Sequence, residues 1–283
     1  MKYDIGDLLH NWPFDPDEFV ARRITSRDGT EKIQIRIDMG MLQLEVEGRP
    51  DGQKPFGCSS LLEHHVGDDA QSGVHDGDTL DDEACEHLFQ EAWQYYQRYL
   101  SLFYLEDYAG VVRDTSHNIE VFDLVQSRAE SDEVKWYFEQ YYPHAIMMQS
   151  RSKALLELER ENYRAALGEV EAGIDRIEQL VMEWDGDVLE DDLPELAFLR
   201  NWHEELEKEE EVRQLTLDAL SAEALVKMAR HYGVACSGCA RRSVAFSCSA
   251  QSVSVMVPSL SSPFAMFSTA IALVFSILRR HLR

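Results

Sequence analysis

The stretch Met147–Leu180 reads MMQSRSKALLELERENYRAALGEVEAGIDRIEQL and divides into two helices at the corner Glu161-Asn162. After the corner, Tyr163, Ala166, Leu167, Val170, Ile174, Ile177 and Val181 recur at steps of three and four. That is one face of a 3.6-residue period. Arg164, Glu169, Asp175 and Glu178 occupy the other face. One such hairpin cannot bury its own apolar stripe, so neighbouring helices are implied.

Working outward, the same pattern stands upstream. Tyr108, Val111, Val112, Thr115, Ile119 and Phe122 keep the offsets of Tyr163, Ala166, Leu167, Val170, Ile174 and Ile177. The corners match, Glu106-Asp107-Tyr108 against Glu161-Asn162-Tyr163, and Leu100 and Phe103 correspond to Leu155 and Leu158. Self-similarity at a fixed spacing, here from Tyr108 to Tyr163, is the signature of a helical repeat. Asp81 or Asp82 can cap the preceding helix, whose stripe is Ala84, Leu88, Ala92, Tyr95, Tyr99 and Leu102. Ser131 or Asp132 opens an aromatic helix from Val134 to Tyr142, and Pro143 kinks or restarts it. Asp191 or Asp192 caps a last helix with Pro194 in its first turn and a stripe of Leu196, Leu199, His203 and Leu206.

Ahead of the helices, Ile33, Ile35 and Ile37 alternate with polar residues, as do Leu42, Leu44 and Val46 beyond Met39-Gly40. This predicts a β-hairpin with one apolar face, ended by the turn Gly48-Arg49-Pro50-Asp51-Gly52. Residues 1–30 read as polar chain with turns, and residues 53–80 as a solvated acidic surface loop. The division expected is 1–80 for hairpin and loop, 81–215 for the helical repeat, and 216–283 for an irregular tail.

Charge sharpens that division. The net charge is −25, yet residues 224–283 contain no acid at all. An acidic body repels phosphates, so direct nucleic-acid binding by it is not expected. The start of the chain lacks the basic-then-apolar order of a signal peptide, and five cysteines suit a reducing compartment. The expected location is therefore cytoplasmic. Residues 253–278 are uncharged and long enough to span a bilayer, so weak membrane association or attachment through this segment is the alternative. The abrupt loss of acids also fits a change of reading frame.

The corner with its second helix resembles a tetratricopeptide repeat, which places an aromatic after the turn and small and bulky residues at set intervals. Here these are Tyr163, Ala166, Val170 and Gly173, with Tyr108 the aromatic of the earlier copy. The resemblance implies antiparallel helix pairs that present a groove to a peptide or protein. The order of hairpin, Gly-Arg-Pro-Asp-Gly turn, aromatic helix and Leu105-Glu106-Asp107-Tyr108 corner is also similar to an uncharacterised, planctomycete-type bacterial family labelled UvrB/UvrC motif-containing. That resemblance implies an accessory role in nucleotide-excision DNA repair. The motif itself is approached at Tyr163-Arg164-Ala165-Ala166, without its Leu-Arg-Asp.

Candidate sites are few. Tyr96, Tyr104 and Tyr137 fall off the main apolar stripes and are candidates to line a partner groove. His231, Cys236, Cys239 and Cys248 form the metal-like constellation, with a two-residue gap of the kind zinc uses between Cys236 and Cys239. Neither a Walker loop, a dinucleotide turn nor a nucleophile motif stands out, and carboxylates lie in solvated runs. The fold expected is mainly α, with hairpin repeats preceded by a small β-hairpin. The function expected is a non-enzymatic scaffold that binds a protein or peptide partner without a cofactor.

Overall fold

The computed structural model describes residues 4–72, 79–184 and 193–231. In chain order these form α1 (Gly6–His10), β1 (Ala21–Thr25), β2 (Glu31–Ile37), β3 (Gly40–Glu45), a single 3-10 turn (Pro55–Gly57), α2 (Leu61–Ser72), α3 (Asp82–Tyr104), α4 (Tyr108–Arg128), α5 (Asp132–Glu139), α6 (Tyr142–Glu159), α7 (Tyr163–Glu183) and α8 (Pro194–His231). The chain is mainly helical, with a small antiparallel sheet ahead of the helices.

The corners and second helices of the two hairpins correspond in backbone as well as pattern. α4 and α7 each run 21 residues from their tyrosines. Glu106 and Glu161 both take the left-handed conformation, at φ 60° and 57°. Asp107 and Asn162 then cap the second helices, accepting from Gly110 N and Ala165 N. Ala166 and Val170 are fully buried, as are their counterparts Val111 and Thr115. Gly173 lets α6 and α7 approach closely: a Cβ there would lie 2.4 Å from Ser150 Oγ. Tyr108 and Tyr163 are only partly buried, so neither tyrosine is sealed inside its hairpin. The smaller side chains one turn on fill the seam instead.

The helical core gathers Leu88, Phe122, Val125, Ile146, Ile177 and Leu199. Asp81 caps α3 and Ser131 caps α5, as the sequence predicts. Pro143 restarts the chain as α6, where a proline in the first turn gives up no helical hydrogen bond.

Four expectations need correction. The sheet has three strands, order β1-β2-β3, because Ala21–Thr25 adds to the predicted hairpin. Its Arg22, Arg23 and Thr25 hid the alternation, yet Arg22 bonds Gln34 across the sheet. Part of the expected loop 53–80 is helix α2, which Glu91 starts by accepting from Leu61 N and Leu62 N. The tail expected to be irregular from residue 216 is helical as far as His231, since no glycine or proline interrupts it before Gly233. Carboxylates are not all solvated: Glu91 and Asp114 are fully buried.

The chain forms two compact units, Met1–Glu207 and Lys208–Arg283. The sheet and the helical hairpins thus share one unit, and no division falls at 80. No described helix is long and apolar enough to cross a membrane, and residues 253–278 lie outside the described residues.

Candidate functional site at the inner face of helix α6

Two seams run along α3 within the first unit. The first is polar and ties the sheet to the helices. Arg98 grips Asp114 with two bonds of 2.6 and 2.8 Å, and donates to the carbonyls of Glu45 and Gly48. Arg113 donates to the Val46 carbonyl at 2.9 Å and pairs with Glu47 and Asp114. Arg49 reaches Glu91 at 3.3 Å, and His117 lies 3.2 Å from the same carboxylate while stacking on Tyr95. Burial alone would raise the Glu91 carboxyl. The hydrogen bonds of His117, Leu61 and Leu62 outweigh it and hold it below the usual carboxylate range. Every charge here meets its opposite, which is the pattern of a structural clasp on the Gly-Arg-Pro-Asp-Gly turn.

The second seam is aromatic, and its charges are not balanced. It lies where α6 faces α3 and the first turns of α8. His144 and Arg151, two helical turns apart on α6, share this face. His144 packs on Tyr96 and Tyr99, with ring centres 5.6 and 6.1 Å away. Its Nδ1 stands 4.0 Å from Glu195 Oε1 on α8. Burial depresses the imidazole to about 4 and raises the Glu195 carboxyl. Burial also lifts the Tyr96 phenol to about 12. Both members of the His144–Glu195 pair are thus pushed toward their neutral forms, because neither is well solvated. Arg151 lies 4.5 Å from the Phe103 ring centre and 4.8 Å from that of Phe198, and Phe198 packs on Trp202.

Beside His144 is a cavity of about 20 Å³, lined among others by Trp93, Tyr96, Phe122 and Tyr141. Two sealed polar atoms belong to its lining residues, Asn118 Oδ1 and His144 Nε2, and neither has a hydrogen-bond partner among the described residues. The volume suits a single water, not a cofactor.

Of the tyrosines that the sequence singles out, Tyr96 lines this cavity. Tyr137 packs on Tyr141 and Phe89, so it joins the same aromatic cluster from α5. Tyr104 stands apart, edge-on to Phe19 near the end of α3. Cys236, Cys239 and Cys248 lie outside the described residues, and His231 is the last residue of α8. Among the described residues no group of histidines, cysteines and carboxylates is placed to hold a metal. The sequence reading missed His144, Arg151 and Glu195. The seven-residue spacing of His144 and Arg151 was the available signal, but α6 carries no apolar stripe to mark which face is inward.

No family model matches the chain, and comparison with curated proteins and with solved structures likewise finds no match.

Proposed function

We propose that the chain is a non-enzymatic helical-repeat scaffold whose inner face, formed by α3, α6 and the start of α8, binds a protein or peptide partner. The observation that carries this reading is the partly exposed aromatic row along α6. Tyr96, Phe103, Phe198 and Trp202 surround polar groups whose hydrogen bonding and charge the fold leaves incomplete. Such a surface offers apolar contact area together with a few unfilled polar positions, which is what recognition of an extended or helical segment uses. The duplicated hairpins supply rigid walls, because each corner is capped and each helix pair is closely packed. The repair-accessory reading rests on the order of sequence features, and none of the inner-face residues speaks for it.

The test is selection of peptides from a displayed library on the intact chain, followed by calorimetry with the selected peptides. Tyr96→Ala and Trp202→Ala should each weaken binding by about ten-fold or more, as large aromatics at a contact centre do, while the far-ultraviolet spectrum stays unchanged. Selected peptides that bind both variants as well as the parent would place the partner surface elsewhere.

A further inference from the structure

Arg151 is a cation that the fold encloses without neutralising. Three arginines of the polar seam have carboxylates: Asp114 for Arg98, Asp114 and Glu47 for Arg113, Glu91 for Arg49. Arg22 and Arg36 also lie over aromatic rings without an acid among the described residues, but they donate to Gln34 and to backbone carbonyls. Arg151 has two phenylalanine rings against it and, among the described residues, neither a hydrogen bond nor an acid within ion-pair distance. Its guanidinium is not sealed, since none of its nitrogens is among the buried atoms that lack a partner. Desolvation lowers it to about 10, with Tyr108 as the one opposing influence. A chain with 52 acids and 27 bases could have placed a carboxylate here and did not. Leaving a partly buried charge uncompensated is costly, and such departures collect at sites that a ligand completes.

We propose that Arg151 is the anchor for a single carboxylate of a partner polypeptide, whose neighbouring apolar residue rests on Phe103, Phe198 and Trp202. The proposal rests on reading the inner face as the partner surface. A guanidinium edge receives a planar carboxylate through two parallel N–H···O bonds. A phosphate dianion would meet the same edge but would be repelled more strongly by a chain of net charge −25. A carboxylate carries the smallest charge that neutralises Arg151. The aromatic surroundings favour one that comes attached to an apolar side chain rather than within an acidic run. The carboxylate can be a chain terminus or an Asp or Glu side chain.

The experiment uses the intact chain and four probes: N-acetyl-leucyl-phenylalanine, its C-terminal amide, the C-terminal amide of N-acetyl-phenylalanyl-glutamate, and phenyl phosphate. Binding is read by the arginine Nε–H signals in NMR titration. The expected result is saturable binding of at least one carboxylate probe, weaker by about ten-fold or more for the uncharged amide. The tighter of the two carboxylate probes identifies the source as terminus or side chain. Arg151→Met should abolish carboxylate binding while the unliganded chain melts at the same temperature or higher, since a buried unpaired charge has been removed. Arg151→Lys keeps the charge but loses the fork. It should fold as the parent does and bind several-fold more weakly, which preserves the test if the methionine variant fails to fold. Equal binding of acid and amide, tighter binding of phenyl phosphate, or undiminished carboxylate binding by Arg151→Met would each overturn the anchor. Library-selected peptides that bind Arg151→Met as well as the parent would sink the anchor and leave the partner surface standing.

Discussion

His144 holds its neutral form because burial desolvates its ring, and none of the described residues hydrogen-bonds its Nε2. Its folded pKa near 4 lies below the 6.5 of an exposed imidazole. Between those values the unfolded chain binds a proton that the folded chain does not. The stability that neutral His144 contributes is therefore fully present above pH 6.5 and is lost as the pH falls toward 4. From pH 6.5 to 5 the loss through this group is about 2 kcal/mol. Glu195 acts in the opposite sense: its raised carboxyl favours the folded chain as the pH falls, so it offsets part of the loss. Urea unfolding at pH 7 and pH 5 should show that His144→Leu loses about 2 kcal/mol less over this interval than the parent. Identical losses in the two proteins would mean that His144 is solvated. At the same scale, Arg98 shows why the polar seam is structural. Four of its five donors are spent on Asp114 and on the carbonyls of Glu45 and Gly48, which ties the helices to the sheet.

At the scale of elements, the hairpins are held by close helix contact rather than by large side chains in the seam. Gly173 on α7 faces Ser150 on α6 so closely that any Cβ would collide with both Oγ and Cβ of the serine, at 2.4 and 2.6 Å. Gly173→Ala should therefore push the helices apart and destabilise by about 1–3 kcal/mol, the range for overpacking. Ser150→Gly in the same chain removes both colliding atoms, so the double variant should recover a large part of that loss. A double variant no more stable than Gly173→Ala would show that the glycine serves something other than helix approach. The earlier hairpin solves the same problem differently. Asn118 replaces the glycine and spans the gap, donating to the Ala92 carbonyl at 2.9 Å.

At the scale of the whole molecule, the first compact unit closes at Glu207. Its last contribution is the stripe Leu196, Leu199 and Leu206, each at most 3% exposed. Beyond it, Val212, Leu215 and Leu220 of α8 are 58–69% exposed. A chain ended after Leu215 should keep the melting temperature of the parent to within about 2 °C, because its core is unchanged. A collapse of the cooperative transition on truncation would show that the remainder belongs to the core.

The sequence by itself determined the helical hairpins, their corners and their duplication. Each depends on local chemistry: a 3.6-residue apolar period, a capping side chain, a proline in a first turn. It also determined two strands of the sheet, where isoleucines alternate cleanly. Strand β1 was not legible, because its charged residues find their partners only across the sheet, as Arg22 finds Gln34. Helix α2 was not legible because its start is held by Glu91, about thirty residues later in the chain. The candidate site belongs to the same class. Nothing local marks Arg151 as different from Arg98, since both are arginines on long helices. Only the tertiary structure decided that Asp114 would lie against one and a pair of phenylalanine rings against the other, because burial and pairing are set by which helices meet.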